Sequence, residues 1–90
     1  MSTVVYQIHI NAVYIVVENG DPYPIAYTSF ASARAAAKEK YKEVIEEQLA
    51  EQDGGPICSD LDVPENMVTN VTYLYVEKGI HIYIYKMPIL

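Results

Sequence analysis

One apolar stripe of helical period occupies the middle of the chain, while the segments on either side alternate with the period of a β-strand. Over residues 29–52 apolar side chains recur at spacings of three and four, as on the buried face of a helix. Thr28 or Ser29 can cap the start of this helix, and the Gly-Gly-Pro sequence at 54–56 can end it. A chain of 90 residues holds one modest core. The pattern therefore predicts one long helix packed on one face of a single sheet, through Phe30, Ala33, Ala37, Tyr41, Val44, Ile45 and Leu49.

The segment before the helix predicts a β-hairpin. Residues 3–18 alternate at their start and are apolar on both faces from 12 to 17, which is typical of either two short strands or one long bulged strand. Asn19 and Gly20 form a strong signal for a two-residue type I′ turn, and a strand over residues 23–28 follows. Because proline cannot donate a hydrogen bond to a neighbouring strand, Pro22 and Pro24 indicate an edge strand.

The segment after the helix predicts a loop over residues 53–66 and a second hairpin, with strands over 67–77 and 80–87. The Glu-Lys-Gly sequence at 77–79 suits a three-residue turn with a left-handed glycine, and this register separates aliphatic from aromatic side chains. We therefore predict an α+β fold of order (β)ββαββ, in which one long helix covers one face of an antiparallel four- or five-stranded sheet in a single domain over residues 1–90. The predicted pairs on the helix-covered face are Val76 with Ile80, Leu74 with Ile82 and Thr72 with Ile84.

The same register places a group of rings on the sheet face away from the helix. The chain has nine tyrosines but one phenylalanine and no tryptophan. Tyrosine combines an apolar ring with a polar tip and is enriched at protein interfaces. Three interpretations remain open: cross-strand pairs that stabilise a solvent-facing sheet, a homodimer interface, or a site for a ligand or partner. We call this group the aromatic face; it consists of Tyr73, Tyr75, His81, Tyr83 and Tyr85.

Acidic side chains are concentrated in one part of the sequence. The chain has 12 acidic and 6 basic residues, for a formal net charge of -6. Every basic residue before the second hairpin lies between Arg34 and Lys42, and two-thirds of the acidic residues follow with no basic residue among them. This pattern is typical of a solvated face, or of a patch that attracts a protein partner with a basic surface. We call it the acidic patch: Glu43, Glu46, Glu47, Glu51, Asp53, Asp60, Asp62 and Glu65.

The sequence contains no catalytic or metal-binding motif. The carboxylates at positions 60, 62 and 65 lack the ligand spacing and central glycine of an EF-hand. Their acidity disfavours the thiolate of Cys58, and His9 and His81 lie in alternating strands. We therefore predict no enzymatic activity, no metal and no cofactor. The surplus of acid also argues against direct nucleic-acid binding.

The N-terminal residues carry no sign of a secretory signal. They have no basic region before an apolar run, and the apolar run at 12–17 is far shorter than the roughly 20 residues of a membrane span. The single cysteine fits a reducing compartment. These features predict a cytoplasmic protein without membrane contact.

Residues 13–20 (VYIVVENG), 23–29 (YPIAYTS) and the helix over 33–41 resemble a hairpin-helix cassette of small virus and phage proteins. The size and acidity are also similar to those of phage-encoded inhibitors of bacterial defence, such as anti-CRISPR proteins. This resemblance implies an accessory protein that occludes a macromolecular partner, located in the host cytoplasm if the protein is viral, and it assigns no residue roles. The leading hypothesis is thus a homodimeric interaction protein that binds a basic partner. The alternatives are a nucleotide-like ligand bound by the aromatic face at a dimer interface, or a structural assembly subunit.

Overall fold

Two β-hairpins flank a helical segment in the computed structural model, which describes residues 11–51 and 59–89 except for the side chain of Glu51. The strands form one antiparallel sheet in the order β2-β1-β4-β3. The predicted α+β fold is confirmed, with four strands. The predictions for residues 3–10 and for the helix stop at 54–56 lie outside the described residues. The elements in chain order are β1 (Ala12–Glu18), β2 (Asp21–Tyr27), α1 (Phe30–Lys40), α2 (Lys42–Glu51), β3 (Val71–Glu77) and β4 (Ile80–Pro88).

The first hairpin forms as its turn residues predict. Asn19 and Gly20 have φ values of 49° and 88°, the left-handed conformation that a type I′ turn requires at both central positions. The register of β1 and β2 shifts between Ile15 and Val17. Strand β2 carries Pro22 and Pro24 and lies at the edge of the sheet, as expected.

The second hairpin follows the predicted register except close to its turn. Leu74 pairs with Ile82, and Gly79 has a φ of 88°. Ile80 pairs with Glu77, however, because the bulge falls between Tyr75 and Glu77, so the predicted pair of Val76 with Ile80 is wrong. The extra residue left by the bulge is Val76, which is fully buried.

Strand β3 begins at Val71, four residues later than predicted. The side-chain oxygen of Asn66 accepts hydrogen bonds from the backbone N–H groups of Val68 (2.9 Å) and Thr69 (3.3 Å). Asn70 then adopts a left-handed φ of 60°. These contacts form a turn that interrupts the extended conformation before the strand.

The predicted single helix over 29–52 is divided into α1 and α2 at Tyr41, where φ is -107° and ψ is 21°. Backbone hydrogen bonds still cross the division, from Tyr41 N–H to the Ala37 carbonyl (3.2 Å) and from Ile45 N–H to the Tyr41 carbonyl (3.1 Å). Directly before the division, Lys40 Nζ lies 2.8 Å from the carboxylate of Glu18 on β1 and 5.5 Å from the centre of the Tyr41 ring. These tertiary contacts lie where the helical backbone distorts. The predicted cap is confirmed, because the Ser29 hydroxyl accepts from Ser32 N–H at 3.1 Å.

The core lies between one face of the sheet and α1. Ala33 and Ala37 are fully buried, and their small side chains allow the helix to approach the strands closely. No side chain of α2 is fully buried over residues 42–50, so this helix lies at the margin of the core. The remaining core residues are Val16, Phe30, Leu61, Leu74, Val76, Ile82 and Ile84.

Candidate interaction surfaces

The aromatic face forms one continuous cluster of rings on β3 and β4. The Tyr73 ring lies 5.1 Å from that of Tyr83 and is stacked on His81 at 5.8 Å, measured between centroids. Tyr75 reaches His81 at 5.6 Å, and Tyr85 reaches Tyr83 at 6.3 Å. These distances are those of favourable aromatic pairs. The register predicted from the turn thus brings all five rings together.

The rings at the centre of this cluster are accessible to solvent. Tyr73 is 40% exposed and Tyr83 is 38% exposed, while the other three are half-buried. The Tyr73 hydroxyl is hydrogen-bonded to Nδ1 of His81. Burial, followed by the neighbouring Tyr83 and Tyr75, raises the pKa of Tyr73 above its usual value of 10.0. Tyr73 is therefore uncharged at neutral pH.

Strand β1 extends the aromatic face with aliphatic side chains. Val17 pairs with Tyr83, Ile15 pairs with Tyr85 and Val13 pairs with Met87. Since residues paired across a sheet lie on the same face, these side chains continue the aromatic face across β1. We call the enlarged surface the open sheet face: the aromatic face together with Val13, Ile15, Val17 and Met87.

The acidic patch is divided between α2 and the loop before β3, and it is only partly free. Within that loop, Asp60 N–H donates to the Tyr75 carbonyl at 2.7 Å, so Asp60 lies beside the edge strand β3. Asp62 forms an ion pair with Lys38 at 2.7 Å, and the hydrogen bond from Lys38 lowers the pKa of Asp62. Glu65 accepts a hydrogen bond from the Tyr14 hydroxyl at 2.9 Å. The side chain of Glu51, and Asp53, lie outside the described residues. The exposed members without such a contact in the described part of the chain are Glu43, Glu46, Glu47 and Asp60.

A polar cluster that the sequence analysis missed joins β1 to the helical segment. Glu18 Oε1 lies 2.8 Å from Lys40 Nζ and accepts a hydrogen bond from the Tyr23 hydroxyl at 3.0 Å. Lys40 Nζ also lies 5.0 Å from the centre of the Tyr23 ring and 5.5 Å from that of Tyr41. The one available signal was the position of Glu18 on the helix-covered face of β1, where a carboxylate needs a partner.

This cluster changes the acidity of its members. Burial raises the pKa of Glu18, but hydrogen bonds from Lys40, Tyr41 and Tyr23 outweigh it and leave the pKa below 4.5. Burial, then the hydrogen bond to Glu18, raises the pKa values of Tyr23 and Tyr41. The cluster therefore holds an ionised Glu18 and two neutral tyrosines at neutral pH.

Glu18→Gln is expected to lower the free energy of unfolding by about 1–2 kcal/mol at pH 7, because it removes the charge that accepts hydrogen bonds from Lys40 and the Tyr23 hydroxyl. The folded pKa is depressed, so this stabilisation is complete above the usual value of 4.5 and is lost as the pH falls through the folded pKa. Urea unfolding at pH 7 and pH 3 measures the difference, with Glu39→Gln at an exposed position of α1 as control. An equal loss at both pH values would contradict the role of the charge.

Glu47→Lys is expected to stabilise the protein by about 0.5 kcal/mol, which corresponds to roughly 2–4 °C in Tm. Glu43 and Glu47 are like charges one helical turn apart, and the last turn of α2 contains no basic residue to complement the helix dipole. Thermal unfolding followed by circular dichroism checks this. An unchanged or lower Tm would mean that these carboxylates do not strain the helix.

The described residues contain no group of three or more His, Cys, Asp or Glu side chains that could hold a metal ion. In the same part of the chain, no helix is long and apolar enough to cross a membrane. Cys58 and His9 lie outside it. Comparisons of the sequence with protein-family models and with curated proteins, and a comparison with solved structures, found no match.

Proposed function

We propose that this protein is a non-enzymatic interaction protein of the cytoplasm, which forms a homodimer through the open sheet face and occludes a basic protein partner with the acidic patch. The observation that carries the proposal is the contrast between the two sides of the sheet. One side presents exposed aromatic rings, and the other presents exposed carboxylates on α2. The likeness in size and acidity to phage inhibitors supports occlusion as the mode of action.

The open sheet face suits a second copy of this chain. Three strands about 4.8 Å apart, with seven residues at about 3.3 Å each, give a face of roughly 14 by 23 Å, similar to apolar patches that function in recognition. None of the side chains that define this face is a carboxylate, a lysine or an arginine. Two chains of net charge -6 can therefore meet there while the carboxylates of α2 remain on the outer sides.

Light scattering coupled to size exclusion, over a wide concentration range, tests the dimer. We expect a mass close to twice that of one chain at high concentration, falling toward the monomer on dilution. A monomer at all concentrations would contradict the dimer, and a mass well above two chains would favour an assembly subunit.

Affinity capture with a charge-reversed variant tests the acidic patch. One variant combines Glu43→Lys, Glu46→Lys and Glu47→Lys. A second variant has glutamine at the same three positions, which removes the attraction to a basic partner without adding repulsion. A protein retained by the wild type is purified, and its binding is measured directly at several salt concentrations. We expect binding to weaken with salt and with both variants. Affinity and salt dependence that are unchanged in the lysine variant would contradict the proposal.

A planar ligand such as a nucleotide is the second candidate for the aromatic face. The observation in its favour is the group of adjacent exposed rings, on which a base can stack. The rings already contact one another, however, and the Tyr73 hydroxyl and His81 Nδ1 are hydrogen-bonded to each other. Thermal shift with a set of nucleotides separates the candidates, because a concentration-dependent rise in Tm would favour the ligand.

A further inference from the structure

We infer that the acidic side of the molecule contains a preformed groove for a cationic amphipathic helix of the partner protein. This inference rests on the proposed function, which assigns a basic partner to this side. The groove has a volume of about 640 Å³ and lies between the helical segment and residues 59–62. Residues of α1, of α2 and of the segment 59–62 line it, so it is a concave surface with apolar and charged side chains.

The floor of the groove is apolar. Leu61 is 5% exposed and belongs to the core, and Ile45 is half-buried beside it. Leu49, one helical turn after Ile45, is 55% exposed. Ile45 and Leu49 therefore form an apolar ridge along one wall, and its outer end remains accessible to a partner.

Side-chain contacts at both ends hold the opposite wall in place. Gln48 Oε1 accepts hydrogen bonds from the backbone N–H (3.1 Å) and the hydroxyl (2.9 Å) of Ser59. At the other end, Lys38 pairs with Asp62 at 2.7 Å and Arg34 donates to the Val63 carbonyl at 3.0 Å. Because these contacts fix the loop relative to the helices, the groove exists before a partner arrives, which lowers the entropy lost on binding.

The rim of the groove determines the charge of the occupant. Two lysines and four acidic residues line it, and the ion pair between Lys38 and Asp62 neutralises one of each. Lys42 is then outnumbered by the exposed carboxylates of Glu39 and Glu46. An apolar floor with an acidic rim matches a helix that carries an apolar stripe flanked by lysine or arginine.

A synthetic helix tests this match directly. The probe is an 18-residue peptide with acetylated and amidated ends, leucine on one face and lysine on the other, and its counterpart has glutamate in place of lysine. We expect saturable binding of the lysine peptide by fluorescence anisotropy and none of the glutamate peptide. In ¹⁵N-labelled protein, the amide shifts are expected to centre on Ile45, Leu49 and Leu61.

Two matched pairs of variants distinguish the groove from general acidity. Glu46→Lys and Glu47→Lys make the same change at adjacent exposed positions, but only Glu46 lines the groove. Leu49→Asp adds a charge within the groove, and Val68→Asp adds it at an exposed position elsewhere. We expect the groove variant of each pair to weaken peptide binding about tenfold and its control less than about twofold. Circular dichroism confirms that each variant is folded.

Several other results would contradict the proposal that this groove binds a cationic helix. Equal losses for Glu46→Lys and Glu47→Lys, with no effect of Leu49→Asp, would mean general attraction to the acidic patch and would leave the proposed function intact. Absence of saturable binding, or shifts centred on Tyr73 and Tyr83, would also exclude this groove. Nuclear Overhauser contacts that place residues 52–58 in the groove of the free protein would show that the chain itself fills it. The proposed function is decided separately, by the captured partner and the triple lysine variant.

Discussion

Tyr83→Glu is expected to weaken self-association by at least about 100-fold and to leave the protein monomeric at concentrations where the wild type is a dimer. Tyr83 lies at the middle of the open sheet face, where it contacts Tyr73 and Tyr85 and pairs with Val17 on the neighbouring strand. In a symmetric dimer the substitution occurs twice, so two carboxylates would be buried without partners in one interface. Sedimentation equilibrium of both proteins measures the change in dissociation constant.

Two control variants separate loss of the interface from loss of the fold. Tyr83→Phe keeps the ring and is expected to retain the dimer, and Val68→Glu adds the same charge at a position that is 90% exposed. Because Tyr83 is partly exposed, its replacement should cost the monomer no more than about 1 kcal/mol. If Tyr83→Glu dimerises as tightly as Val68→Glu, the open sheet face is not the dimer interface.

The aromatic face could be predicted from sequence because two local rules determine it. Side chains alternate along a strand, and the left-handed Gly79 fixes the turn from which the register is counted. The pairs of Tyr73 with Tyr83 and Tyr75 with His81 follow directly. The position of the bulge does not follow, because pattern alone does not decide whether Val76 or Glu77 is the unpaired residue.

The acidic patch was only partly predictable, because its charges depend on contacts between distant segments. Asp62 meets Lys38 and Glu65 meets Tyr14 across long separations in sequence, and no local pattern indicates either contact. The break at Tyr41 is not indicated locally either, because the apolar stripe continues through it while the adjacent Lys40 pairs with Glu18 on β1. Long-range polar contacts thus decide which carboxylates remain free, and they form the walls of the groove that the sequence does not reveal.

Asn19→Ala is expected to lower the free energy of unfolding by about 2–3 kcal/mol and the Tm by roughly 10–20 °C. Asn19 joins the two hairpins: its side chain donates to the Gly79 carbonyl at 2.8 Å and accepts from His81 N–H at 2.9 Å. Its own N–H donates to the His81 carbonyl at 3.0 Å. Alanine loses both side-chain contacts and is strained at the left-handed φ of 49°. Chemical denaturation gives the change in free energy.

Two further substitutions at position 19 separate the backbone conformation from the side-chain contacts. Glycine tolerates the left-handed conformation but makes neither contact, so Asn19→Gly should cost about 1–2 kcal/mol. Aspartate keeps the acceptor for His81 N–H and tolerates this conformation, but its second oxygen cannot donate to the Gly79 carbonyl and is repelled by it, so Asn19→Asp should also cost about 1–2 kcal/mol. Asparagine should therefore be the most stable and alanine the least, with aspartate and glycine between them. If glycine were as stable as asparagine, only the turn conformation would matter. If alanine were as stable as glycine, the left-handed backbone would carry no penalty, and the stability of this junction between the hairpins would come from the side-chain contacts of Asn19.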